Sequence, residues 1–270
     1  MIIQPLTPSY EVLKRRIKDY EVHEQLELDD KLNSLRKDKF YDMHAHNVDK
    51  YNGKIFQSKN SGDFMIVEYF DYDKIAIVFL NTGYRMLSNI RDISTGEVQD
   101  PYVPKVLGVG FVGIGPYKVD GSPYERMIYS KWRNILNECY INHIRNEFVN
   151  PEWFNFQNFA AWFNSEFYCP YKSSMYDMVV DKDVLYPGNE EFGPYKCVLL
   201  PGFIDCKVHL QDSEKEQIFN WAHGCMQPDE VQRLFKYKEI KEHGIRCMAD
   251  EYHDILPPHV YLAIKNYKMF

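Results

Sequence analysis

Asp181-Lys182-Asp183, followed by Gly188-Asn189, is the segment whose residue types best suit chemistry. In a regular strand alternate side chains share a face, so Asp181 and Asp183 would project together and Lys182 would project oppositely. Two carboxylates at that spacing can hold a divalent cation such as Mg²⁺. Asn189 follows a glycine at a turn, where its amide can come back towards the strand end. The same residues suit a charged edge strand closed by a Pro-Gly-Asn turn, and both readings stand at this point. Asp42-x-His44-x-His46 has the spacing of some metal-dependent hydrolases, because two histidines two apart on a strand can share a metal. It follows Arg36-Lys-Asp-Lys-Phe40 rather than an apolar strand, so surface placement is expected. His143 is expected in a core, and His209, His223, His243, His253 and His259 show no ligand spacing. No G-x-x-x-x-G-K-[ST], G-x-S-x-G or H-E-x-x-H motif occurs.

The elements that must position these groups follow from periodicity. Residues 8–39 read as a helical arm: Val12, Leu13, Ile17 and Tyr20 recur at helical spacing, and Leu28, Leu32 and Leu35 continue it in a second helix after a charged break. Phe64–Phe70 and Lys74–Leu80 read as a hairpin turned at Asp71-Tyr72-Asp73. With further β-type segments at Arg85–Ile90 and Val106–Val112, a small SH3-like β-barrel is the economical expectation. Glycines 108, 110, 113 and 115 would permit tight bends or the close approach of a partner. Ser122-Pro-Tyr-Glu125 is a capping box that opens the best helix, with Ile128, Trp132, Ile135, Leu136 and Cys139 on one face. Arg126, Lys131, Arg133 and Arg145 lie off that stripe and suit either phosphate contact or a solvated face. Trp153, Phe154, Phe156, Phe159, Trp162 and Phe163 read as core. Met178–Leu185 and Tyr195–Leu200 read as strands, and the remainder as helices from Asp212, Pro228 and Val260.

The 270 residues suggest one large domain or two small ones, and 45% hydrophobic with 26% charged content excludes a disordered or collagenous chain. A net charge of -7 is the wrong sign for a protein held on nucleic acid by bulk charge, so any such contact needs a local patch. No stretch approaches a membrane span, and Met1-Ile-Ile-Gln-Pro5 lacks the apolar core of a signal peptide, so a soluble, non-secreted chain is expected. Cys139, Cys169, Cys197, Cys206, Cys225 and Cys247 form no C-x-x-C pair and are expected to be mostly buried, reduced thiols.

Four blocks coincide with a family pattern. They are Ile93-x-x-Gly96-x-Val98-x-Asp100-Pro-Tyr-x-Pro104 with Gly108-Val-Gly110; Tyr129-x-x-Trp132-x-x-x-Leu136-x-x-Cys139-Tyr140; Trp153-x-x-Phe156-x-Asn158-Phe159-x-x-Trp162; and Asp181-Lys-Asp-x-Leu185-x-x-Gly188-Asn189. Together they resemble bacteriophage-encoded HNH-endonuclease-like proteins, many of which end in an ethylene-response-factor-type DNA-binding module. The likeness covers Gly62 to about Pro201, and Tyr237–Lys241 through Val260-Tyr261 is similar to the closing helix and tail of that group.

The resemblance implies an HNH-like ββα region with Asn189 at the middle position, but Lys182 stands where the histidine base belongs. A protonated lysine accepts no proton. Phe192-Gly193-Pro194, near the third position, offers no ligand, and the C-terminal module is too short for its three-stranded sheet.

The expected fold is α+β: a helical arm at 1–48, a small β-barrel at 50–118, a degenerate HNH-like region with a long helix at 119–205, and C-terminal helices at 206–270. The expected function is a bacteriophage protein, in the cytoplasm of the infected host, that binds DNA or RNA without cleaving it. Arg126, Lys131, Arg133, Arg145 and Lys182 are its cationic contacts, and no cofactor is required. One alternative is an Mg²⁺-dependent endonuclease using Asp181, Asp183 and Asn189. The other is an inhibitor that binds a host defence or transcription protein.

Overall fold

A computed structural model describes residues 8–37, 45–142, 146–166, 177–186, 188–254 and 256–269. The chain divides into two compact units, one of residues up to 144 with 151–165, the other of 145–150 with 166–270. Helices and strands occur in both, so the fold is mixed α and β. The division falls inside the expected 119–205 region, and the helical arm shares a unit with the first sheet.

In the first unit, α1 (Tyr10–Lys37) is one continuous helix of 28 residues rather than two. The charged stretch expected to break it, residues 21–27, holds three glutamates, a glutamine and a leucine, all good helix formers. Tyr10, Leu13, Ile17, Leu28 and Leu32 are buried, whereas Val12 and Tyr20 are exposed. After α2 (Ala45–Tyr51), strands β1 (Ile55–Ser58), β2 (Gly62–Asp71), β3 (Lys74–Phe79) and β4 (Arg85–Ser88) form an antiparallel meander in that order.

The register of β2 slips between Ile66 and Glu68, leaving exposed Val67 as the extra residue of a bulge. That slip lets Tyr69 join Phe64 and Ile66 in one core while Phe70 turns to Leu28 and Leu32 of α1. Glu68 shares the α1 side and pairs with Arg36 at 2.6 Å, and Arg85 of β4 meets Asp29 at 2.9 Å.

The expected barrel does not close. Val106–Val112, which would have supplied another strand, leaves the sheet: Val106 and Gly110 pair across a tight turn, and Phe111 bridges to Asn155. β1 and β4 therefore remain edges of an open sheet. After α3 (Ile90–Thr95), the glycine-rich loop leads to α4 (Pro123–Asn137), whose capping box forms as expected, with the Ser122 N–H donating to Glu125 at 2.8 Å.

A π-helical turn at Glu138–Asn142 and a 3₁₀ turn at Pro151–Phe154 come before α5 (Phe156–Glu166). Trp132, Trp153, Phe156, Phe159, Trp162 and Phe163 are buried, as a core reading requires, whereas Phe154 is only half-buried. The Trp132 indole N–H donates to the Trp153 carbonyl at 2.6 Å. The close approach at the glycines comes from this same core. A Cβ on Gly110 would stand 2.6 Å from Leu136 Cδ1, and one on Gly113 would stand 2.4 Å from Asn155 Oδ1.

The second unit contains β5 (Phe148–Val149), β6 (Met178–Asp181), β7 (Glu191–Phe192) and β8 (Val198–Pro201). β6 pairs antiparallel with β8, and β5 pairs parallel with β7. All four residues of β8 are buried, and α6 (Gly202–Val208) follows it directly. Helices α7 (Asp212–Ala222), α8 (Pro228–Glu251) and α9 (Pro258–Lys265) complete the unit. Among the described residues no helix is long and apolar enough to cross a membrane.

Gly108 and Gly113 both hold positive φ, but only Gly113 faces a neighbour at the missing Cβ. Gly108→Ala should cost about 1 kcal/mol of backbone strain. Gly113→Ala should cost about 2–4 kcal/mol, because Asn155, which accepts the Gln157 N–H at 2.9 Å, must also move. Denaturant unfolding of the two variants checks this, and equal losses would remove the packing explanation.

Candidate metal-binding site

β6 ends at Asp181 because the chain turns there. Asp181 Oδ1 accepts the backbone N–H of Asp183 at 2.8 Å and of Val184 at 2.7 Å. Strand alternation therefore stops before Asp183, and the expected pairing of Asp181 with Asp183 on one face does not form. The Asp183 carboxylate instead takes the Lys182 ammonium at 2.9 Å.

Two groups missed in the sequence converge on Asp181. Asp205 lies on α6 and His209 caps its C-terminus, four residues apart and so on the same side of the helix. His209 Nε2 stands 2.6 Å from Asp181 Oδ2 and 3.2 Å from Asp205 Oδ1. One ligand atom from each of the three residues lies within 4.8 Å of the others. The signal that could have found them is the D-x-x-x-H spacing directly after a wholly apolar strand.

The Asp181 side chain has no exposed surface. Its Oδ2 and Asp205 Oδ1 are buried without a directed hydrogen bond, although His209 is close to both. The His209 contacts are therefore charge contacts rather than aligned N–H···O bonds. A metal ion needs no donor direction, and two carboxylates with one imidazole suit Mn²⁺ or Zn²⁺ better than the all-oxygen shell Mg²⁺ favours.

Without a cation, protonated His209 supplies the positive charge. Asp181 above all, then Asp205, raises the imidazole to about 10 against the opposing effect of burial. Burial pushes the Asp181 carboxyl up, but His209 and the two backbone N–H groups overcome it and hold it below its ordinary value.

Lys182 is turned inward and is 7% exposed, so it is not the phosphate contact expected of it. Its ammonium meets Asp183 at 2.9 Å, Glu147 at 3.2 Å and the Asn189 carbonyl at 2.7 Å. Burial would lower its pKa, but Asp183 and then Glu147 more than offset this and the net shift is upward. Asn189 does return to the strand end, where its amide donates to the carbonyls of Lys182 at 3.0 Å and Glu191 at 2.8 Å. Its Oδ1 accepts the Glu191 N–H at 3.1 Å. These bonds make Asn189 a clamp of the loop, outside the cluster.

Of the expected cationic stripe, Arg126 and Arg133 are exposed and share a face of α4 at i and i+7. Arg126 also donates to the Gly121 carbonyl. Lys131 is half-buried on another side of the helix. Arg145 and the Asp42-x-His44-x-His46 pattern lie outside the described residues and side chains. Cys139 and Cys197 are buried thiols, but Cys206, Cys225 and Cys247 are exposed, which corrects the expectation of mostly buried cysteines.

No protein-family model matches the chain, and no curated protein or solved structure matches it.

Because the folded His209 value lies above 6.5, its contribution to stability is complete below about pH 6.5 and is lost as pH rises through about 10. In EDTA, the melting temperature of the wild type should therefore fall between pH 6.5 and 10 more steeply than that of His209→Gln. Parallel profiles would show that the imidazole is not charged by these carboxylates.

Proposed function

We propose that the chain binds nucleic acid on a nuclease-like strand–strand–helix scaffold that holds a divalent cation and does not cleave. The observation that carries this reading is the state of Lys182. It stands where the HNH resemblance puts the general base, yet its ammonium is buried between Asp183 and Glu147 and shifted towards the charged form. A group held protonated cannot draw a proton from water.

The arrangement of β6, β8 and α6 supports the scaffold part of the reading, since it places Asp181 at a strand end and His209 at the end of the following helix. Asp181, Asp205 and His209 would hold the cation, which would supply positive charge to a bound phosphate. Arg126 and Arg133 add two exposed cations in the first unit. In this reading the protein acts during bacteriophage infection, inside the host cell, with DNA or RNA as ligand. Binding to a host defence or transcription protein is the competing role.

Binding of a short duplex should weaken linearly on a log–log salt plot. Arg126→Ala/Arg133→Ala should reduce the slope by up to about 1.8, two phosphates at roughly 0.9 each. Mn²⁺ affinity should drop at least tenfold in Asp205→Asn and rise with pH between 6 and 8.5, because the cation must displace the His209 proton. Supercoiled plasmid should stay intact with Mg²⁺ or Mn²⁺. Salt-independent binding would remove the nucleic-acid reading, and nicking abolished by His209→Gln would replace it with an active endonuclease.

A further inference from the structure

Next to the Asp181–Asp205–His209 cluster lies a cavity of about 240 Å³. Asp181 and His209 form part of its lining, together with Lys215 of α7 and Tyr267, Lys268 and Met269 of the C-terminal segment. That segment is fixed in place: Met269 is buried, and its backbone N–H donates to Glu242 of α8 at 2.9 Å. Among the described residues no carboxylate pairs with the exposed Lys268.

Size excludes one ligand and admits another. Taken as a sphere, the cavity is roughly 8 Å across, whereas the major groove of a duplex is by itself about 12 Å wide. At about 30 Å³ per water, the space equals roughly eight waters, enough for a phosphate group with its sugar and not for the interior of a double helix.

Charge narrows the choice further. A phosphate monoester carries a charge of about -1.5 to -2 at neutral pH and three strong acceptor oxygens. A cation held by the cluster, with Lys215 and Lys268 beside it, matches that charge and provides point-charge partners for the oxygens. Val184, Val208 and Leu210 give the cavity an apolar wall for the sugar.

We propose that this cavity takes a terminal phosphate monoester, at the end of a nucleic-acid strand or on a free nucleoside monophosphate, rather than an internal phosphodiester. The proposal rests on reading the cluster as a cation site in a nucleic-acid-binding protein. Lys215 and Lys268 hold the phosphate oxygens, and the fixed C-terminal segment forms one wall of the cavity.

The test measures fluorescence anisotropy of a labelled single-stranded 12-mer with Mn²⁺, carrying either a terminal phosphate or a terminal hydroxyl at its unlabelled end. Both the 5′ and 3′ versions are run, and adenosine monophosphate and adenosine serve as competitors. We expect at least tenfold tighter binding of one phosphorylated end. That preference should fall below threefold in Lys268→Ala and in Lys215→Ala/Lys268→Ala, with Mn²⁺ affinity unchanged. Displacement by the monophosphate but not by adenosine identifies the free nucleotide as a sufficient ligand; displacement by neither ties the preference to a strand end. Equal binding of phosphate and hydroxyl ends at both termini, with Mn²⁺ and DNA affinity intact, overturns the proposal and leaves the functional reading standing. A preference that survives the lysine substitutions places the phosphate elsewhere and also overturns it. Absence of Mn²⁺ or DNA binding removes the functional reading, and this proposal with it.

Discussion

A carboxylate without exposed surface dominates the second unit. An ionised group in that environment is tolerated only when other groups replace the water it has lost, and removing one partner of such a buried pair typically costs about 3–5 kcal/mol. Asp181 meets the requirement by recruiting from three places: two backbone N–H groups of its own turn and the imidazole at the end of α6. The turn ends β6, the imidazole ties α6 to that strand end, and Asp205 is drawn into the same charge balance. Local geometry and electrostatics thus have a common origin, and the cation-binding reading is an extension of what the metal-free residues already require.

Lys182 obeys the same constraint with the opposite sign. Its ammonium is surrounded by Glu147, Asp183 and the Asn189 carbonyl, and Asn189 in turn clamps the loop to Glu191. Adjacent residues of opposite charge are buried with separate sets of partners, so neither neutralises the other directly. This separation leaves Asp181 and His209 on the cavity wall while Lys182 is consumed by the loop.

Local signals were legible in the sequence and closure was not. The Ser122–Glu125 capping box, the turn at Asp71–Asp73 and the aromatic core around Trp153 depend on residues close in the chain or on gross apolarity, and all three appear as read. The barrel depended on where Val106–Val112 would dock, and its β-type residues say nothing about that. Gly110 and, just beyond the segment, Gly113 leave no room for a Cβ because Leu136, Trp132 and Asn155 stand against them, contacts that only the folded chain reveals. The Asp181–Asp183 pairing failed for a related reason. Period-two alternation applies only while the strand lasts, and this strand is ended by the very carboxylate under consideration. Asp205 and His209 went unrecognised because their partner lies more than twenty residues away, across β8.

The bulge at Val67 decides how β2 can tolerate change in length. One strand must feed two different hydrophobic layers, and a regular alternation cannot do so with Phe64 and Ile66 on one side and Phe70 on the other. The surplus residue reverses the parity once, midway. Flattening it into a regular ladder would send Tyr69 towards the long helix and Phe70 towards the opposite layer. Removing Val67 itself would instead leave Glu68 opposite Ala76 and Tyr69 opposite Ile75 with their present faces, so the strand can lose one residue at this point and still supply both layers.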